Sequence, residues 1–451
     1  MPPAVLTQDP PDLIYGWVST PNVRGTRDII ISSFATIWLC TWTCLCLNIP
    51  PKDRRGHLHV ILYKLRWQIF TILFPEVLVA TAAEQWLSAR QSVAAFHRLG
   101  YSKWTIRHGF FADMGGIMVE PVDTLPFAVD SQQLAYLVEN KYLRMPDIPL
   151  EELKSLNKAD GLSRIVTLAQ MAWFCMSCAA RGAQGLGFCT LEATTLAFIL
   201  CTLHTFFFWY YKPLDPGVQH TYAMDFAIAD ICRSKADLLG KPYLRSYTTS
   251  TPLDFVKPIP SSRSLVIPFW FGLAAMFPQS NWRLTSPSPD DPKSELASVR
   301  LAQTLANSRV LPQDGISLGI MIYTLVFQVA YFGLQIAFAW IAAFPSPVEW
   351  YMWILANSAA FGLISVYVVA IPIGARLSPW LGRWLFGIKA TSIIEVASAL
   401  PTWARIAVHA PFIMGYLAAR GVVIVESLIS LRAMPQVVFD EVSWSGFVPH
   451  L

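Results

Sequence analysis

The stretch Ile29–Pro51, IIISSFATIWLCTWTCLCLNIPP, carries no charged residue and is bounded by Asp28 and Lys52. A helix needs about 20 apolar residues to cross a hydrocarbon core about 30 Å thick. Within lipid every backbone polar group must be satisfied internally, which a helix does within its own segment. Similar runs recur, so the sequence predicts an all-α, polytopic transmembrane bundle.

Composition points the same way. The chain is 54% hydrophobic and 14% charged, whereas soluble domains are about 25% charged. Mean hydropathy is +0.42. The net charge of +4 is too small to imply a nucleic-acid partner, and the basic residues fall in short loops.

The pattern places eight spans. They are Ile29–Ile49, Trp67–Leu87 (interrupted by Pro75), Ile165–Ala180, Leu191–Tyr211, Ser264–Trp282, one within Gly315–Val348, Trp350–Ala375 and Ile406–Leu428. Residues 1–28 form a luminal N-terminal segment, 29–431 the bundle and 432–451 a C-terminal tail. Long polar loops interrupt the bundle at 90–164 and 212–263. Lys52, Arg54, Arg55, Lys64 and Arg66 follow the first span, and Arg376, Arg383, Lys389 and Arg405 follow the seventh. The excess of Lys and Arg in these loops places them in the cytosol and both termini in the lumen. The N-terminus lacks the basic and apolar regions of a cleaved signal. An integral, multi-pass protein of the endoplasmic reticulum is expected.

Ionisable residues inside spans are expensive and point to function. Glu76, Glu84, Glu192, Arg420 and Glu426 qualify. Glu76 adjoins Pro75, where a broken helix opens a polar niche. Arg420 and Glu426 also read as a structural pair, and Glu192 also reads as a carboxylate at a helix start. In Gly109-Phe110-Phe111-Ala112-Asp113-Met114-Gly115-Gly116 a carboxylate lies among Phe and Gly residues. Desolvation there would keep Asp113 protonated, as a Brønsted acid must be; the alternative is a turn in which Asp113 caps. Glu120 is close enough in sequence to share the niche. Arg24 and Asp28, just before the first span, read either as an interface anchor or as a binder of an anionic or phenolic head group.

Metal and nucleotide motifs are missing. His57 and His59 have no carboxylate cluster nearby, Cys175-x-x-Cys178 has no second pair, and no Gly-rich phosphate loop occurs. No metal site and no cofactor are expected.

Tyr15-Gly16-Trp17, Arg24-Gly25-Thr26-Arg27-Asp28-Ile29 and Asn48-Ile49-Pro50 resemble the opening of a large group of fungal multi-pass membrane proteins. The resemblance continues through Phe110–Gly116, Lys158-Ala159-Asp160, Arg181 with Gln184, Leu191-Glu192 and Lys212-Pro213-Leu214, and covers residues 15–215. That group includes membrane-bound meroterpenoid cyclases of the ascofuranone and macrophorin type. The resemblance implies a terpene cyclase that protonates an epoxide or terminal olefin of a farnesylated aromatic substrate in secondary metabolism. It carries over Asp28, Asp113, Glu120, Asp160 and Glu192 as the motif carboxylates. Asp113, Glu120 and Glu192 are the catalytic candidates; Arg24, Asp28, Asp160 and Arg181 are the substrate-binding candidates. The partners are then a prenylated lipophilic small molecule and membrane lipid. Two other readings stand beside it: a transporter of a small lipophilic metabolite, and an acyltransferase of the wax-synthase kind using His108 with Asp113.

Overall fold

The computed structural model describes residues 13–20, 23–50, 56–122, 126–155, 158–214, 216–233, 318–387 and 402–444, with Thr251, Leu253 and Val256. The expected fifth span, Ser264–Trp282, lies outside the described residues, as does most of the 212–263 loop.

Helices dominate, in the order α1 (Thr26–Thr43), α2 (His57–Leu73), α3 (Pro75–Arg98), α4 (Ile106–Asp113), α5 (Ser131–Glu139), α6 (Leu150–Ser155), α7 (Lys158–Ala183), α8 (Thr190–Phe208), α9 (Ile228–Arg233), α10 (Leu318–Phe338), α11 (Pro347–Phe386) and α12 (Thr402–Ile429). Short strands β1 (Leu13–Tyr15), β2 (Ile117–Glu120), β3 (Phe127–Ala128), β4 (His220–Ala223) and β5 (Ala433–Pro435) add two small sheets to the expected all-helical class.

Eight spans are not supported among the described residues. Among the described residues four stretches are long and apolar enough to cross a membrane: Gly161–Ala183, Thr190–Phe208, Gly319–Phe338 and Ala410–Arg432. The bent pair α2–α3 makes five if it counts as one. The expected first span loses its last residues because α1 stops at Thr43 and 44–50 are not helical. Its 18 residues reach only about 27 Å. Arg27, Asp28 and six Ser or Thr dilute its apolar content.

The exposed faces are apolar. On α2, Leu58, Ile61, Leu62 and Ile69 face outward while Lys64, Gln68 and Thr71 are buried. Exposed Ile165, Val166, Leu168, Trp173 and Met176 on α7, and Ile322, Val326 and Val329 on α10, repeat the pattern. In water such contiguous apolar surface is a liability; in lipid it is the matching solvent.

The bundle has two ends. At the tail end β1 pairs antiparallel with β5, Leu13 opposite Pro435 and Tyr15 opposite Ala433, so residues flanking the bundle on both sides meet there. At the sheet end β2 pairs antiparallel with β3 and parallel with β4. With α4, α5, α6 and α9 this sheet encloses its own core, including Phe96, Trp104, Phe111, Phe127, Leu134 and Ile231. The polar 90–164 region is thus a folded α+β unit.

The break between α2 and α3 positions the main site. The chain bends by 110° between the two helices. Pro75 opens α3, where its missing N–H is harmless. Lys64 lies 4.9 Å over the Trp42 ring and Gln68 donates to Thr41 at 3.2 Å, both near the C-terminal end of α1. On the other arm, Lys212 donates to Gln85 at 2.7 Å and Ser88 donates to Asp113 at 2.9 Å. Arg164 joins these places by reaching Cys46, which follows α1, at 3.5 Å and the Lys212 carbonyl at 3.4 Å. Both arms therefore lead to the sheet end. Glu76, nine residues before Gln85, sits about 14 Å deeper.

Candidate functional site

At the α2–α3 break five elements converge: α2, α3, α8, α10 and α12. Glu76 is fully buried, and its Oε1 is hydrogen-bonded to the Tyr416 hydroxyl of α12. The same hydroxyl lies 3.1 Å from the Leu73 carbonyl, freed because α2 ends there. Phe74 stacks on Tyr416 at 5.2 Å between ring centroids. Arg420, one turn along α12, places its guanidinium 5.3 Å from the Phe198 ring and 5.5 Å from the Tyr331 ring. Its Nη2 reaches the Ile72 carbonyl at 3.4 Å. Glu76 Oε2, Arg420 Nε and Nη1, and the Tyr331 hydroxyl have no hydrogen-bond partner among the described residues. Tyr331 is within electrostatic reach of Arg420 but without hydrogen-bond geometry.

The expected Arg420–Glu426 pair is not formed. Six residues of helix turn about 600°, which leaves the two about 120° apart around the axis. Glu426 faces Glu349 and Arg432 instead.

Asp113 ends α4 at the seam between bundle and sheet unit. Its Oδ2 accepts from Ser88 at 2.9 Å and its Oδ1 accepts from the Ser131 N–H, at the start of α5, also at 2.9 Å. Lys212 is buried nearby, over the Trp209 ring at 4.4 Å. Burial pushes its amine down to about 8, against the attraction of Cys46 and Asp113. With a donor on each oxygen, Asp113 braces the start of α5 against α3. Phe110 and Phe111 beside it are buried, as the desolvation argument anticipated, but that argument left out the donors. Glu120 does not share this niche: it is exposed at the end of β2. His108 does not turn to Asp113 either. Its ring meets Thr105 at 2.8 Å and the Ile148 carbonyl at 3.0 Å, and burial lowers its basicity.

Glu192, Arg24 and Arg181 do come together, at the tail end. Arg24 Nη2 is 2.7 Å and Arg181 Nε 4.0 Å from Glu192 Oε1. Glu192 Oε2 accepts from the Cys189 N–H at 3.0 Å, capping α8. Arg181 also donates to the carbonyls of Gly187, Val437, Val438 and Asp440, at 2.7, 3.2, 2.9 and 2.9 Å. Asp28 caps α1 by accepting from the Gly25 N–H at 3.1 Å. The Asp160 side chain lies outside the described residues.

Residues 4–233 match a family of unknown function, DUF8562. The chain belongs to that family. No curated protein and no solved structure matches the chain. The DUF8562 segment contains Glu76, Asp113, Lys212 and the tail-end triad but ends before Tyr331, Tyr416 and Arg420. The main site is thus built jointly by the family region and by helices beyond it.

The 19 residues of α8 rise about 28 Å from Glu192 toward the Lys212 and Asp113 seam. Asp113 and Glu192 therefore cannot act on one substrate atom. Sequence reading named Glu76 and Arg420 separately. It missed Tyr416 and Tyr331, which stand in apolar runs with no local signal.

Proposed function

We propose that the protein is a multi-pass membrane enzyme of the endoplasmic reticulum that cyclises a lipophilic prenylated aromatic, with Glu76 as the acid. One observation carries this reading. The Tyr416 hydroxyl has a single hydrogen but faces two acceptors, Glu76 Oε1 and the Leu73 carbonyl. Both contacts are satisfied together when the Glu76 carboxyl carries a proton and donates it to Tyr416, which then donates to Leu73. The second oxygen, Oε2, is buried and unpartnered among the described residues.

The chemistry balances without an added reagent. The carboxyl proton moves to the epoxide oxygen or the terminal olefin carbon. In the epoxide case the C–O bond breaks as the neighbouring olefin's electron pair forms a C–C bond. Further olefins close further rings, and loss of a proton to the carboxylate ends the sequence at an isomer. Ring faces stabilise the travelling cation, and exclusion of water prevents early capture. A prenylated substrate reaches this depth through lipid. The pairing of β1 with β5 supports placing both flanking segments on one membrane face, and the α2–α3 pair reads as a re-entrant hairpin entering from the other.

The test is microsomes containing this chain, given a farnesylated phenol and its terminal epoxide. A cyclic isomer of unchanged mass is expected, absent with Glu76→Gln and present with Asp113→Asn. Product formation unaffected by Glu76→Gln would overturn the assignment of the acid.

Transport of a lipophilic metabolite is the second reading. The observation favouring it is the interrupted helix with ionisable groups at its break, a feature of transporter sites. Movement of unchanged substrate across sealed vesicles, with no isomer, would select it.

A further inference from the structure

We infer that Arg420 and Tyr331 form a receptor for the acidic head, a carboxylate or phenolate, of a lipophilic amphiphile. This deepens the proposal above and rests on its reading of Glu76. Arg420 is 1% exposed and Tyr331 0% exposed. Guanidinium stays charged in proteins, so a full cation is fixed near the middle of the bundle. Its surroundings are the rings of Phe198 and Tyr331 and one long contact to the Ile72 carbonyl. Two of its three nitrogens have no acceptor among the described residues. The carboxylate within electrostatic reach is Glu76, yet no ion-pair contact between the two occurs among the described residues. With Glu76 protonated, Arg420 is an uncompensated charge, and a buried charge without a partner is strongly unfavourable.

One oxyanion closes that balance. It would accept from Arg420 Nε or Nη1 and from the Tyr331 hydroxyl, which three elements, α8, α10 and α12, hold at one depth. The rings around them suit an aromatic or polyprenyl body. The ligand class is therefore an acid whose apolar part is large enough to partition into lipid, and the head group, not the chain, selects it.

The experiment uses the purified full chain in detergent and three probes: a farnesylated hydroxybenzoic acid, its methyl ester and a farnesylated phenol. Tryptophan quenching reads affinity. The acid is expected to bind at least tenfold tighter than the ester. Arg420→Gln should erase that preference, Arg420→Lys should retain part of it, and Tyr331→Phe should weaken the acid alone. Equal affinity of acid and ester for the unaltered protein, or a preference that survives Arg420→Gln, would overturn the inference. Should Arg420→Gln fail to fold, Tyr331→Phe decides: an unchanged acid-to-ester ratio overturns it. Because binding needs no turnover, acid selectivity without any isomer formed would refute cyclisation alone, and cyclisation without selectivity would refute the receptor alone.

Discussion

Arg181 shows how much one side chain holds. It gathers four backbone carbonyls and faces Glu192 while 2% exposed. Arg181→Met would strip those carbonyls of donors and leave part of a buried charge system unbalanced, a loss of about 3–5 kcal/mol. The expected result is earlier thermal unfolding and proteolytic release of the segment from 433 onward, read by melting and by limited digestion. Gly109 makes a second test. A Cβ there would stand 2.5 Å from Ser92 Oγ and 3.0 Å from the Ala89 carbonyl oxygen. Ser92 also accepts from Trp104, so Gly109→Ala should destabilise by about 1–3 kcal/mol. Lys212 gives a pH dependence. Its amine falls from 10.5 in the open chain to about 8 when folded. Between those values the unfolded chain binds the extra proton, so stability rises with pH. Melting temperature should climb from pH 8 to 10 in the natural protein and climb less in Lys212→Met. The sequence showed the apolar setting of Asp113 through its Phe neighbours. It could not show Ser88 or the Ser131 N–H, because those contacts come from other elements.

At the element scale, the α2–α3 pair departs most from expectation. Its apolar content reads as a span from Trp67 to Leu87, and Pro75 marks a break. Periodicity carries no information about the bend at that break, which is 110°. Single cysteines at the start of α2, at His57, and at the end of α3, at Arg98, should react with an impermeant thiol reagent from the same face of sealed microsomes. Labelling from opposite faces would show that the pair crosses. Polarity on α2 was equally misleading read alone: Lys64, Gln68 and Thr71 are its buried residues, because the neighbouring helix α1 offers Trp42 to Lys64 and Thr41 to Gln68.

Over the whole molecule, Tyr416 meets Glu76 across 340 residues of chain, with Arg420 in electrostatic reach, and β5 closes on β1 from the far end of the chain. Removing residues 433–451 should unpair β1, strip Arg181 of three of its carbonyls and lower the melting temperature, with the helical far-ultraviolet signal largely kept below it. Composition and hydropathy sufficed for the helical class and for helices able to enter a membrane, because partition into lipid depends on residue type summed over a window. They also marked Glu76, Asp113, Glu192 and Arg420 as costly residues. Which of these meet was decided only by the tertiary structure: a charge is stabilised by whatever stands within a few ångströms of it, and in this chain those neighbours are remote in sequence.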